Sequence, residues 1–161
     1  MAIKGRVHKY GDDINTDVIF PGRYTYKNLS EEEMASHAME DLDPDFSRKV
    51  KKGDIIFAGK NFGMGSSREQ AVLALKYAGI SAIVAKSFAR IYYRNAINSG
   101  LPAIEAPEAV DAVEEGDEVE IDLQNGVIRT PKGEFKFPPF PPKVREILDA
   151  GGLIPYIKSR I

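Results

Sequence analysis

A short glycine- and serine-rich segment, NFGMGSSRE at residues 61–69, carries the side chains best suited to chemistry. It lies directly before the apolar run AVLAL, which is typical of a buried helix. A helix N-terminus presents unpaired amide donors and a partial positive charge, and glycine lets a ligand approach the backbone closely. Arg68 adds a guanidinium that can hold a carboxylate through two parallel hydrogen bonds. The segment therefore predicts an anion site.

The pattern favours a carboxylate over a phosphate. No lysine follows the glycines as in a Walker loop, and the third glycine of a dinucleotide-binding loop is absent. Ser66 is a candidate proton acceptor, because helix amides and Arg68 would lower the cost of its alkoxide, although another group must acidify the substrate. A structural interpretation stays open, since Ser66 and Glu69 also match a capping box and the glycines ease a tight turn.

Composition bounds the classes of protein and partner. A chain of 161 residues with 43% hydrophobic content predicts a single globular domain over residues 1–161. The net charge of −2 does not indicate the excess of positive charge that binding to nucleic acid or an anionic membrane requires. No apolar run approaches the roughly 20 residues of a membrane span, and the N-terminus lacks the apolar core of a signal peptide, so we expect a soluble cytoplasmic protein.

The absence of cysteine restricts the chemistry further. With no thiol, this chain by itself offers no disulfide, cysteine nucleophile, thiolate zinc site or iron–sulfur ligand. Any such group must come from another polypeptide.

The elements that must position the motif alternate between strand and helix. The predicted order is strand 3–10, loop 11–17, a helix from Ser30 that ends before Pro44, strand 55–59, helix 67–78, strand 81–85, helix 87–98 and strand 101–106. Ser30 and Glu33 form a capping box, and Gly79 closes the motif helix. Short connections in such an alternation predict parallel strand pairing through crossovers.

The C-terminal third has a different sequence pattern. EVEIDL and VIRT around Asn125-Gly126 predict an antiparallel hairpin with a type I′ turn. The proline-rich stretch 137–142 predicts an extended connector, and one or two amphipathic helices follow. The sequence thus predicts a three-layer α/β fold with a parallel centre and an antiparallel C-terminal addition.

Residues 59–102, GKNFGMGSSREQAVLALKYAGISAIVAKSFARIYYRNAINSGLP, closely resemble the swivelling domain of the aconitase superfamily in its stand-alone form. That form is the small subunit of hydro-lyases acting on isopropylmalate or homocitrate. KGRVHKYGDDINTDVIFPGRY resembles the opening strand and loop of the family, and ILDAGGLIPYIKSR is similar to its ending. GxGSSRE, SFARI and RNAxNxGLP together are highly specific, and the resemblance covers almost the whole chain.

The resemblance implies a swivelling β/β/α domain and an isomerase that dehydrates and rehydrates a small hydroxy di- or tricarboxylate. Its active site is shared between two subunits, and the partner is a large subunit that holds a [4Fe–4S] cluster as a Lewis acid. The absence of cysteine agrees with this division. Alone, the small subunit is expected to be inactive, and its self-association is left open.

The resemblance also assigns roles to individual residues. Ser66 matches the serine that removes the proton from the substrate carbon, and Ser67 and Arg68 match neighbours that bind a substrate carboxylate. Asp17 matches an aspartate that pairs with a catalytic histidine of the large subunit, a role typical of an orienting carboxylate.

Other polar residues keep two interpretations. Arg90 with Arg94, and Asn95 with Asn98, share a helix face and either line the site or tie the helix to loops and the partner. His8 and His37 are too isolated for a metal pair or a dyad, and we assign them no role.

Substrate choice is expected to depend on the loop after Pro21-Gly22, where Tyr24, Thr25 and Tyr26 are the candidate substrate-binding residues. Homoaconitase-type sequences tend to carry an arginine here for an extra carboxylate, whereas this chain has Tyr26. An aromatic residue suits an isopropyl group, which favours 3-isopropylmalate and leucine biosynthesis.

Alternatives to that substrate stay open, because Arg23 and Lys27 flank this loop. They are a homoaconitase subunit, a dual-substrate enzyme, a non-catalytic carboxylate-binding module and a purely structural subunit.

Overall fold

The computed structural model describes residues 2–66 and 68–160, and its elements alternate between strand and helix over most of the chain. The first half contains β1 (Ala2–Lys9), α1 (Thr16–Ile19), a 3₁₀ turn (Gly22–Tyr24), α2 (Glu31–His37), α3 (Phe46–Lys49), β2 (Ile55–Ala58), α4 (Gln70–Tyr77) and β3 (Ala82–Ala85). The second half contains α5 (Arg90–Asn98), β4 (Ala103–Glu105), α6 (Pro107–Ala112), β5 (Glu118–Asp122), β6 (Val127–Thr130), β7 (Gly133–Lys136), α7 (Pro142–Ala150) and α8 (Leu153–Lys158).

Seven strands within the described residues form one sheet in the order β4-β3-β2-β1-β5-β6-β7. The four strands from β4 to β1 are parallel, with Val7 opposite Ile55, and Ile83 opposite both Ile56 and Ala103. Every residue of β2 and β3 is buried, as expected for parallel strands covered on both faces. The three crossovers step in one direction, so right-handed connections place their helices on one face, where α4 contacts both α2 and α5.

The other edge of β1 begins the antiparallel part of the sheet. Ile3 lies opposite Ile121 of β5, and β6 and β7 follow as antiparallel neighbours. Helix α6 contacts β3 as well as β6 and β7, so the sheet curls around it. This architecture confirms the predicted α/β class with its parallel centre and antiparallel C-terminal addition.

The predicted type I′ turn is wrong. Asn125 does not adopt positive φ, and the β5–β6 connection is a four-residue loop closed by a hydrogen bond from the Gly126 amide to the Asp122 carbonyl at 2.9 Å. The Asp122 carboxylate also accepts the Asn125 amide at 3.0 Å, which stabilises the longer loop. Strand β7, to which the sequence assigned no predicted element, continues the sheet.

Three helices differ in length from their predicted bounds. The Ser30–Glu33 capping box is confirmed, but α2 ends at His37. Helix α4 begins at Gln70 and α5 at Arg90, each three residues later than predicted. Before α5, the Ser87 carbonyl and the Ala89 amide are bound to Phe62, which keeps these residues out of the helix. Glu69, directly before α4, has helical dihedral angles but provides no side-chain cap. Gly79 closes α4 in the left-handed region, as predicted.

The proline-rich residues 137–141 form neither helix nor strand, and two short helices complete the chain. Lys76 of α4 donates to the carbonyls of Ser99 at 2.6 Å and Gly151 at 3.1 Å, which ties the ends of α5 and α7 to α4. Among residues 2–66 and 68–160, no helix has the length and apolar character needed to cross a membrane.

Gly79→Ala is expected to destabilise the fold more than Gly116→Ala. Both glycines have positive φ, so each alanine pays about 1–2 kcal/mol for the left-handed backbone. At Gly79 the new Cβ would also lie 2.8 Å from Lys52 Cα, whereas nothing lies within 4 Å at Gly116. Urea unfolding should give a further loss of about 1–3 kcal/mol for Gly79→Ala. Equal losses would contradict the close packing of α4 on residues 51–52.

Candidate active site

Three loops meet beyond the carboxyl ends of the parallel strands. They are the β1 loop (residues 10–15), the β2 loop (residues 59–69) and the β3 loop (residues 86–89). The crevice outside the carboxyl ends of such strands is where open α/β sheets bind ligands. The β2 loop carries the glycine- and serine-rich motif and lies between the other two.

The β2 loop is held on both sides by main-chain hydrogen bonds. On one side the Gly63 amide donates to the Ile14 carbonyl at 2.7 Å, and the Thr16 amide donates to the Met64 carbonyl at 2.8 Å. On the other side the Phe62 amide donates to the β3 loop at 3.0 Å. The motif therefore extends the pattern of the parallel sheet beyond the ends of its strands.

Gly63 packs directly against Tyr92 of α5. Its φ is +85°, and a Cβ at this position would overlap the Tyr92 ring. The buried phenol of Tyr92 donates to the Ala71 carbonyl of α4 at 2.9 Å, and burial raises its pKa above the usual value. This contact fixes the distance between the motif and the two helices that follow it.

A cavity of about 170 Å³ opens between the β2 loop, Thr16 and the first turns of α5. Its polar and apolar wall includes Gly65, Ser66, Arg68, Arg90, Ile91 and Asn95. Ser66 is exposed, and its Oγ lies 3.5 Å from Oγ1 of the buried Thr16. The geometry thus brings together a serine hydroxyl, a threonine hydroxyl and a guanidinium at one opening.

Arg68 is held by three acceptors from the segment after the β1 loop. Nη2 donates to Asp17 Oδ1 at 2.9 Å and to the Phe20 carbonyl at 3.0 Å, and Nη1 donates to Thr25 Oγ1 at 2.9 Å. The side chain is 13% exposed, so these bonds operate in a partly dehydrated environment. We name this set of acceptors, Asp17, Phe20 and Thr25, the arginine cradle.

The cradle leaves a defined donor capacity. A guanidinium has five N–H groups, and the cradle occupies three of them. Nε–H is buried and has no acceptor among the described residues, and one Nη1 hydrogen is not used by the cradle. Asp17 itself is 71% exposed, so its carboxylate also faces outward. Both residues can engage a second molecule while they bind each other.

The predicted substrate loop is only partly at the cavity. Thr25 reaches it through Arg68. Tyr24 turns toward α2, where its hydroxyl donates to Glu40 Oε1 at 2.9 Å and its ring stacks on His37 at 4.0 Å between centroids. Tyr26 is 99% exposed. Neither tyrosine lines the cavity in the structure.

Glu40 collects several partners around Tyr24. Arg23 donates to Glu40 at 2.6 Å and to Asp41 at 3.0 Å, and His37 Nδ1 lies within hydrogen-bond distance of the Glu40 carboxylate. Burial opposes ionisation of Glu40, but hydrogen bonds from His37, Tyr24 and Arg23 outweigh it and hold its pKa below the usual value. We call residues Tyr24, His37 and Glu40 the tyrosine clasp. It fixes the loop to the end of α2.

The capping-box interpretation of Ser66 is wrong. Helix α4 begins at Gln70 after Glu69, and no side chain caps it. Ser66 lies four residues before the helix and faces Thr16 instead, because the loop is still held by its neighbours there. Ser67 lies outside the described residues.

The exposed face of α5 contributes more than the sequence indicated. Arg90 and Asn95 line the cavity, whereas Arg94 and Asn98 line a neighbouring groove. Thr16 was missed, although its place beside Asp17 in the segment NTD was a usable signal. Tyr92 and Ile91 were also missed, because nothing local distinguishes them from ordinary residues of an amphipathic helix.

No metal-binding cluster is found in residues 2–66 and 68–160, where no group of three or more His, Asp or Glu side chains converges. The sequence also contains no cysteine. An iron–sulfur cluster therefore has no donor set among the described residues.

Comparison with known proteins identifies the family. The profile of the aconitase C-terminal domain family matches residues 12–109, which include Asp17, Ser66 and Arg68. The chain belongs to this family. It is 57% identical to the 3-isopropylmalate dehydratase small subunit of Caldicellulosiruptor bescii, covering 100% of this chain and 98% of that one. Small subunit 1 of the same enzyme from Thermotoga maritima is 57% identical, covering 98% and 95%.

A solved structure extends the likeness to three dimensions. The crystal structure of 3-isopropylmalate dehydratase (LeuD) from Methanocaldococcus jannaschii matches with a TM-score of 0.93 and 53% identity, covering 99% of this chain and 95% of that one. The resemblance to the aconitase superfamily is thus confirmed, and the curled mixed sheet is the fold of an aconitase C-terminal domain.

Tyr92→Phe is expected to destabilise the protein by about 1 kcal/mol, because it removes the hydroxyl that donates to the Ala71 carbonyl. The adjacent Tyr93 is a matched control, since its hydroxyl has no hydrogen-bond partner among the described residues, and Tyr93→Phe should be nearly neutral. Urea unfolding of both variants measures the difference. Equal stabilities would contradict the link from α5 to α4.

Proposed function

We propose that this chain is the small subunit of 3-isopropylmalate dehydratase, which interconverts 2- and 3-isopropylmalate by dehydration and rehydration in leucine biosynthesis. The identity of 57% to curated small subunits over the full chain supports the enzyme. The observation that carries the chemistry is the convergence of Ser66, Arg68 and Thr16 on one open cavity. We also propose that residues 1–161 form one swivelling domain.

Ser66 is the proposed base. Its exposed Oγ, as the alkoxide, takes the proton from the substrate carbon and becomes a hydroxyl, and it returns that proton during rehydration. Thr16 Oγ1 lies 3.5 Å away and can donate to the alkoxide. The positive charge of Arg68 in the same cavity lowers the cost of this anion further.

Arg68 is the proposed carboxylate ligand. Its positive charge in the cavity wall favours an anion beside Ser66, and the cradle keeps the guanidinium in place when a ligand leaves. With Nη2 fully used by Asp17 and Phe20, a bidentate grip requires that one cradle bond be exchanged. Ser67 is proposed as a further carboxylate ligand from the resemblance alone.

The remaining catalytic groups are proposed to lie on a large subunit. A [4Fe–4S] cluster is placed on that subunit because this chain has no cysteine to hold it. There it would act as the Lewis acid for the substrate hydroxyl. Asp17, 71% exposed, is proposed to orient a histidine of that subunit. The exposed apolar side chains of Ile91, which lines the cavity, and of Met64 in the β2 loop are suited to being covered on assembly.

Ser66→Ala is expected to lower kcat of the reconstituted two-subunit enzyme by about 10²–10⁴-fold, because the base is removed. The chain is mixed with its large subunit, and the unsaturated intermediate is followed by ultraviolet absorbance. Ser159→Ala is the control, since Ser159 is exposed on the C-terminal helix and bonds only within it. Wild-type turnover that persists in Ser66→Ala would reject the role of Ser66, and turnover by this chain alone would contradict the division between subunits.

The reconstituted enzyme is expected to prefer 3-isopropylmalate to homocitrate. Tyr24, Thr25 and Tyr26 are proposed to read the variable substituent in the assembled pair, and Tyr26 offers apolar surface rather than a guanidinium. The measurement is the ratio of kcat/KM for the two substrates, with Tyr26→Arg expected to shift it toward homocitrate. A preference of the wild type for homocitrate would support a homoaconitase instead.

A further inference from the structure

The turn that follows α1 contacts the Arg68 guanidinium through the Phe20 carbonyl and the Thr25 hydroxyl. We infer that Gly22 and Thr25 are positioning residues for Arg68, and that they act on the substrate through its guanidinium. This inference rests on the proposed function of Arg68 as a carboxylate ligand, and it gives the predicted substrate loop a second role.

The cradle is assembled from a short stretch of chain that doubles back. Asp17 and Phe20 come from α1 and its end, and Thr25 follows the 3₁₀ turn. The Thr25 amide donates to the Gly22 carbonyl at 3.0 Å, which closes the turn and brings the Thr25 hydroxyl to Nη1. The acceptors therefore reach the guanidinium through both of its Nη atoms.

Gly22 is required for room rather than for backbone freedom. Its φ lies outside the left-handed region, so alanine can adopt the same backbone. A Cβ at this position would lie 2.8 Å from Asp17 Oδ1 and 3.7 Å from Arg68 Nη1. The Asp17 carboxylate would have to move away, and this carboxylate accepts the hydrogen bond from Arg68 Nη2. The smallest substitution at Gly22 is thus directed at the ion pair.

The tyrosine clasp fixes the same turn from the other side. Tyr24, between Gly22 and Thr25, is held by the Glu40 carboxylate and the His37 ring. Because Tyr24 is anchored, Thr25 cannot withdraw from Arg68 without breaking the clasp. The position of the predicted substrate loop and the orientation of the carboxylate ligand are consequently coupled through adjacent residues.

The consequence for catalysis is a cation that is oriented before substrate arrives. A fixed guanidinium presents its remaining N–H groups to the cavity without the entropy cost of ordering a free arginine. Since a carboxylate contact is made in the ground state and in the transition state alike, loosening Arg68 should weaken substrate binding more than it slows chemistry.

The first experiment measures KM and kcat of the reconstituted enzyme for Gly22→Ala and Thr25→Val. We expect KM to rise about tenfold in each, as for loss of a hydrogen bond to a charged group, with kcat changed less than about twofold. Gly11→Ala is the matched glycine control, because Gly11 lacks positive φ and nothing lies within 4 Å of its Cβ position. Thr25→Ser keeps the hydroxyl, so its KM should stay close to the wild-type value.

A double-mutant cycle with Arg68→Lys separates positioning from direct contact. If Thr25 and Gly22 act through Arg68, their substitutions should raise KM little further in the Arg68→Lys background. Effects that add fully would mean that Gly22 and Thr25 influence KM independently of Arg68, and would overturn the inference. Thermal unfolding identifies a variant that is simply destabilised, and in that case Thr25→Val carries the test.

A second readout does not depend on turnover. In the full-length chain alone, the ¹⁵N side-chain signals of Arg68, assigned by their loss in Arg68→Lys, should report slow rotation of a restrained guanidinium. Gly22→Ala and Thr25→Val should speed that rotation, and Gly11→Ala should not. Unchanged rotation in both variants would overturn the inference, even in an active enzyme. If the two variants speed the rotation but the reconstituted two-subunit enzyme shows no turnover, the positioning of Arg68 by Gly22 and Thr25 is upheld and the proposed function is rejected.

Discussion

The main-chain hydrogen bonds that hold the β2 loop between its two neighbours are the constraint on which the rest of the site depends. Gly63 donates to Ile14 on one side and Phe62 donates to Ser87 on the other, so the motif has the restraint of a strand without being one. A glycine at residue 63 then allows Tyr92 to pack against it. With the loop fixed, Ser66 and Arg68 face a cavity whose other wall is α5.

This restraint explains why a reactive hydroxyl sits on a loop and not in the first turn of a helix. Helix α4 starts only at Gln70, and the β2 loop before it is held by its neighbours at Phe62, Gly63 and Met64. Ser66 is consequently exposed, with Thr16 as its partner, and is not consumed as a cap. A capping serine would have its oxygen occupied by a backbone amide, which leaves it poorly placed to accept a proton.

The electrostatics of the site depend on how the hydrogen-bond donors of Arg68 are shared among nearby acceptors. Arg68 satisfies Asp17, Phe20 and Thr25 and still has N–H capacity, so the cation is ordered while it stays able to bind an anion. Asp17 is largely exposed despite this bond. A site with its cation ordered and its carboxylate open to solvent is suited to completion by a second polypeptide.

The sequence by itself determined the strands and helices on either side of the motif, the α/β class and the motif. The apolar runs of β2 and β3, the Ser30 capping box and Gly79 are local signals with local causes. The tertiary structure decided the length of the loop that contains Asn125, the residue at which α4 begins and the presence of a separate strand β7. It also decided that Tyr24 binds Glu40 while Thr25 binds Arg68. The partners of Tyr24 and Thr25 depend on hydrogen bonds to residues distant in the chain, and the chemistry of a single segment does not indicate which distant residue it will contact.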